Sequence, residues 1–258
     1  MLDFIFAKLA GTLSTQVIGK GECLQIPGFA SPSQCRDWAK IILNNRCEWI
    51  ERFEGAWSYG NAWYFDIEAG EAHRYFANAQ NSNRLISKLP GYLDLMRESI
   101  QYILGPDGRL CLKSRARHEN LGPYWCESGL HILQTDFDVC AEVGCVHQDI
   151  EGLIPYPHLM FAESTSAYSA ILSVMVPEGR GGLNVWKTRF TASNEFPDLN
   201  DDDKVEFDYQ IGTMTIIDSF MPHQIQDMVC SMNNPFRISG VMHFLYRTDP
   251  YPHWEYWF

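Results

Sequence analysis

The sequence predicts a mainly β protein with helical support. From about residue 110 onward, short β-rich runs alternate with Gly, Pro, Asn or Asp, the pattern of an all-β sandwich or barrel. Before that point, two segments carry apolar residues at helical spacing. No linker and no fixed-period repeat divides the 258 residues. One domain over 1–258 is expected, with helical support over about 1–108 and the β core over about 109–248.

The first helix is expected in "CLQIPGFASPSQCRDWAKIIL", after a short strand and a turn. Ser31 is a good N-cap, Pro32 suits the first helical turn, and Gln34 stands where a capping box needs it. Trp38, Ile41 and Ile42 then recur on one face. "GYLDLMRESIQYIL" predicts a second helix, with Leu93, Met96, Ile100 and Leu104 aligned. The strands follow as "RLCLKSRAR", "LHILQTDF", "SAILSVMV", "LNVWKTRF", "KVEFDYQI", "TMTIID" and "RISGVMHFLYR". The acidic run "DLNDDDK" reads as a solvated turn. "WSYGNAWYFDIEAGEAH", aromatic and broken by Gly, reads as a loop packed on the barrel or covering a pocket. The aromatic tail "YPHWEYWF" packs against the barrel or forms a dimer interface, so a homodimer is allowed.

Composition narrows the partners. With 32 acids against 20 bases the net charge is −12, which leaves no general basic face for nucleic acid. No apolar run reaches the length of a membrane span, and "MLDFIFAKLAGTLSTQ" lacks the basic start of a secretory signal. Eight cysteines are scattered with no CxxC pair, as expected of reduced thiols in the cytoplasm.

The chemistry concentrates in "CVHQDIEG". If that run is extended, His147 and Asp149 point one way and Gln148 the other. Such a pair can be a hydrogen-bonded surface couple, the start of a metal site, or an acid/base pair. Downstream stand "GGLNVW", "DSFMPH" ending in His223, and Arg237-x-Ser239 on one face of a strand. His131 and His243 lie within strand-like runs and read as core histidines, and Trp186 as a core aromatic. Gln134 has either an ordinary strand role or a contact to ligand.

HxD, GGxL, a distant PH and RxS in this order resemble the iron(II)- and 2-oxoglutarate-dependent oxygenase superfamily, over about residues 130 to 246. The resemblance implies a double-stranded β-helix (a jelly-roll, cupin-like core). It implies Fe(II) on His147, Asp149 and His223, a facial set of two imidazoles and one carboxylate. It further implies 2-oxoglutarate and O2 on the remaining positions, with Arg237 and Ser239 holding the distal carboxylate. The expected activity is hydroxylation of a C–H bond of a small molecule, such as an amino acid derivative or specialised metabolite, with release of succinate and CO2. A prolyl-type peptidyl hydroxylase and a non-catalytic jelly-roll binding protein are the alternatives. Halogenases of the same superfamily replace the carboxylate by a small residue, and Asp149 argues against that outcome.

Overall fold

The computed structural model describes residues 18–104, 112–114, 125–135, 145–154, 156–160, 162–177, 181–189, 199–228, 235–248 and 252–258. The expected "RLCLKSRAR" strand is described only at Leu112–Ser114, and the amino-terminal run 1–16 lies outside the described residues.

Two sheets carry the molecule. The larger orders β1 (Cys23–Ile26), β9 (Met214–Asp218), β6 (Ala167–Met175), β11 (Phe236–Arg247), β5 (Gly129–Gln134), β3 (Ala56–Tyr59) and β2 (Ile50–Phe53), all neighbours antiparallel. β12 (His253–Trp257) continues beside β11 where β5 ends and pairs in parallel with β4 (Leu112–Ser114). The smaller antiparallel sheet is β10 (His223–Ile225), β7 (Leu183–Trp186) and β8 (Lys204–Phe207). The large sheet therefore reaches outside 109–248 at both ends. β1 to β3 bring backbone donors and acceptors that β9 and β5 would otherwise leave unpaired at their edges.

Alternation along β11 separates the two faces. Phe236, Ile238, Met242 and Phe244 pack into one core with helical residues such as Trp38, Ile42, Tyr92 and Met96. Arg237, Ser239, Val241 and His243 face the other way and line a cavity. Val241 shares an apolar cluster with Leu183 and Val185 of the small sheet, so the two sheets pack face to face.

Ser31, Pro32 and Gln34 begin the helix Pro32–Asn44, with both capping-box bonds formed. The expected 91–104 helix is two pieces, Tyr92–Glu98 and Gln101–Leu104. Ser99 turns its hydroxyl back onto the Met96 carbonyl (2.7 Å) at the break. Two further helices, Trp63–Glu68 and Ala72–Ile86, replace much of the expected 57–73 loop. Neither has a side-chain cap, which removes the usual sequence signal of a helix start. Asp201–Asp203 form an exposed 3-10 turn, as a solvated acidic run should. Among the described residues no helix is long and apolar enough to cross a membrane.

Candidate metal centre

His147, Asp149 and His223 converge although a long stretch of chain separates the last from the first two. His147 forms no strand. It makes a single antiparallel bridge with His223, each N–H donating to the other's carbonyl at 3.0 and 2.9 Å. Asp149 N–H donates to the Ser219 carbonyl at 3.1 Å. Gln148 points the opposite way, buried, with its amide donating to the Phe220 carbonyl. Backbone groups of Ser219, Phe220 and His223 in the "DSFMPH" turn thus hold the HxD segment in place, and the alternation expected of an extended run is met.

The side chains present ligand atoms that could hold a cation. His147 Nδ1 lies 2.9 Å from the Cys145 carbonyl and His223 Nδ1 lies 3.1 Å from the Met221 carbonyl. A carbonyl only accepts, so both Nδ1 atoms carry hydrogen and both Nε2 atoms keep a free lone pair. Asp149 Oδ1 stands 3.5 Å from His223 Nε2 and 4.0 Å from His147 Nε2. One ligand atom from each of the three residues lies within 4.8 Å of the others. Burial alone would raise the Asp149 pKa, but His223, His243 and His147 around it hold the carboxyl well below its ordinary range. The same attraction raises His223 against the opposing effect of its burial.

These groups open into a cavity of about 330 Å³ that also receives Arg237, Ser239, Tyr209 and His131. Arg237 is 3% exposed, and its Nε donates to the Gly181 carbonyl at 2.7 Å. That carbonyl belongs to the "GG" before β7. A Cβ at Gly182 would collide with the Phe207 carbonyl, so the glycine lets β7 approach β8 closely there. The Tyr209 ring lies 4.9 Å from the guanidinium, and burial pushes the Arg237 pKa down against the opposing pull of Tyr209. Among the described residues, Ser239 Oγ is buried with no hydrogen-bond partner. A buried cation and an unpartnered hydroxyl thus face the same cavity.

Other expectations sort by the same geometry. Trp186 and Gln134 do not line the cavity; Trp186 is a core aromatic and Gln134 serves its strand. His131 and His243 are not ordinary core histidines, because both line it. His243 Nδ1 is 3.0 Å from Ser169 Oγ and 4.0 Å from Asp149 Oδ2. Sequence reasoning missed Arg52, Tyr64, Phe65 and Tyr209 as cavity residues. The aromatic richness of 57–73 was the one available signal, and Trp57, Tyr64 and Phe65 of that stretch do reach the cavity.

No protein-family model matches the sequence, and no curated protein matches it. Among solved structures, a novel N-substituted L-amino acid dioxygenase from Burkholderia ambifaria AMMD, in complex with alpha-KG, matches 99% of this chain and 90% of its own. The TM-score is 0.59 and the identity 11%. A second structure of that dioxygenase matches 98% and 90%, at TM-score 0.57 and 12% identity. The chain shares the fold of these proteins.

Proposed function

We propose that the chain is an iron(II)- and 2-oxoglutarate-dependent dioxygenase, built on a jelly-roll core as a single domain, that hydroxylates a C–H bond of a small molecule. One observation carries the reading: two imidazole Nε2 atoms and one carboxylate oxygen converge in a cavity that also holds a buried arginine beside an unpartnered serine hydroxyl. His147, Asp149 and His223 would hold the iron, a donor set that suits Fe(II) with open positions. Bound there with 2-oxoglutarate, the iron supplies oxygen activation coupled to oxidative decarboxylation, giving succinate and CO2.

The protein's own residues do the rest. The Cys145 and Met221 carbonyls fix both imidazole tautomers before any metal arrives. Arg237 presents a planar fork whose Nε is already engaged, leaving its terminal nitrogens for a carboxylate. Ser239 adds a hydroxyl donor beside it. Val241, Leu183 and Ile171 wall the cavity and exclude water from the reacting groups. The fold shared with an amino acid dioxygenase supports the small-molecule reading. Free cysteines at 23, 35, 47, 126 and 145 suit a reducing, cytoplasmic setting.

The test is anaerobic titration of the purified chain with Fe(II) and 2-oxoglutarate. A visible charge-transfer band requiring both, followed by succinate on admitting O2, is expected. The His147→Ala, His223→Ala double variant should show neither. A wild-type chain that binds no Fe(II), or a double variant that retains it stoichiometrically, overturns the reading.

A further inference from the structure

The cavity has a second polar region that the metal and 2-oxoglutarate do not use. Arg52, on β2, is buried, with its side chain 5% exposed. Its Nε donates to Ser58 Oγ and its Nη1 to Asp66 Oδ1, both at 2.9 Å. Among the described residues its Nη2 is buried without a partner. The guanidinium lies 5.2 Å from the Phe65 ring, and that ring lies 6.1 Å from His131. His131 Nε2 in turn is 3.2 Å from the Tyr64 hydroxyl. Register places His131 between Ser239 and Ser58 on one row of the sheet. Arg52, Tyr64, Phe65 and His131 are therefore one cluster, and all four line the cavity.

The two arginines enter the cavity from well-separated strands. β2 is the third strand from β11 through β5 and β3, roughly 14 Å at ordinary strand spacing. A ligand held at its C1 end by the metal and at its C5 end by Arg237 leaves Arg52 alone. The unpartnered Nη2 is a strong donor, and a buried donor left unmade is costly. Burial, then the charges of His243, Arg52 and Arg237, push His131 down to about 3. The imidazole is thus neutral at ordinary pH, and the region's unused donor toward an anion is the Arg52 Nη2, the ion pair with Asp66 holding the rest of the guanidinium.

We propose that Arg52, with Tyr64 and His131 beside it, binds a carboxylate of the substrate that is to be oxidised. The apolar body of that substrate lies against Phe53, Trp57 and Phe65, which complete this side of the cavity. The proposal names the substrate class for the dioxygenase reading above and rests on it: a small carboxylic acid with an apolar or aromatic body. Asp66 holds the guanidinium in place, and the carboxylate takes the free Nη2 and the Tyr64 hydroxyl.

Calorimetric titration tests it, with the full chain carrying Mn(II) and 2-oxoglutarate. The probes are 3-phenylpropanoate and hexanoate, each beside its primary amide. At least one acid should bind about tenfold more tightly than its amide, the worth of one charge-assisted hydrogen bond. Arg52→Lys keeps the charge opposite Asp66 but loses the fork; Tyr64→Phe removes one hydroxyl only. Each should weaken the acid about tenfold while leaving 2-oxoglutarate affinity unchanged. If Arg52→Lys does not fold, Tyr64→Phe decides. Neither acid binding, amides matching acids, or Tyr64→Phe binding as wild type overturns the proposal. Failure of 2-oxoglutarate to bind would instead refute the cofactor reading, and the same acids titrated into metal-free chain still report on the subsite.

Discussion

The tightest constraint at the scale of single residues is tautomer control. His147 and His223 each look back two residues to a carbonyl, so each imidazole meets the site through Nε2. His-x-Asp is short enough to be read from sequence because its geometry depends only on alternation along three residues. His243 is different: its place beside Asp149 follows from cross-strand register, and its own neighbours in sequence say nothing of it. The same holds for Arg237, whose chain position suggested a ligand anchor while its hold by the Gly181 carbonyl was invisible. A prediction belongs here. Arg237→Lys should raise the KM for 2-oxoglutarate at least about tenfold, because an ammonium cannot replace a fork pre-set by Gly181. Ser239→Ala should raise it less, by about the worth of one neutral hydrogen bond, and should cost little stability because that hydroxyl has no partner to lose. Initial-rate kinetics at varied 2-oxoglutarate, with substrate saturating, separates the two. An unchanged KM in Arg237→Lys places the anchor elsewhere.

Elements were legible from sequence where the signal was local. The capped helix Pro32–Asn44 announces itself through Ser31, Pro32 and Gln34, and the strands through β-branched runs between turn residues. The uncapped helices Trp63–Glu68 and Ala72–Ile86 and the terminal strand His253–Trp257 were not legible. Their stability comes from tertiary packing, and the tail is a case in point. The Phe258 N–H donates to the Cys126 carbonyl at 2.8 Å, and its own carbonyl accepts from Tyr75 Oη at 2.8 Å. Its ring fills the space over Gly129, where a Cβ would collide with it, and reaches to 5.1 Å from His131. Gly129→Ala should therefore destabilise by about 1–3 kcal/mol, as overpacking does. Since the displaced ring is the cause, Gly129→Ala combined with Phe258→Leu should cost less than the two single changes added together. Urea denaturation of the four proteins in the cycle measures this. Strict additivity would mean the tail does not dock on β5.

For the whole molecule, the cavity face of the large sheet contributes a pH dependence to the stability of the fold. It holds His131, partly buried, among Phe65, Tyr64 and Phe258, with His243, Arg52 and Arg237 near enough to oppose a further positive charge. Its folded pKa is about 3, against the ordinary 6.5 of the unfolded chain. Between those values the unfolded state takes up a proton that the folded state refuses. Stability is therefore lost as pH falls below about 6.5, approaching a slope of about 1.4 kcal/mol per pH unit for one such group. His147, pushed to about 4 by burial and by His223, acts in the same sense. Its side chain is 41% exposed, so solvent screening leaves it a smaller share. Asp149, with its folded pKa depressed, gives stability that is present above the ordinary carboxylate range and lost only at lower pH. His223, with its folded pKa raised, gives stability that is present below 6.5 and lost as pH rises through its folded value, outside this acid window. The span from pH 6.5 to 4.5 should thus report mainly on His131. His131→Phe keeps an aromatic ring in that aromatic setting and cannot titrate. In metal-free protein, the urea midpoint of wild type should fall steeply across this span, and that of His131→Phe should fall by about one proton's slope less. Parallel curves for the two proteins would show that His131 takes up its proton in the folded state, and the neutral imidazole in the cavity wall would have to be abandoned.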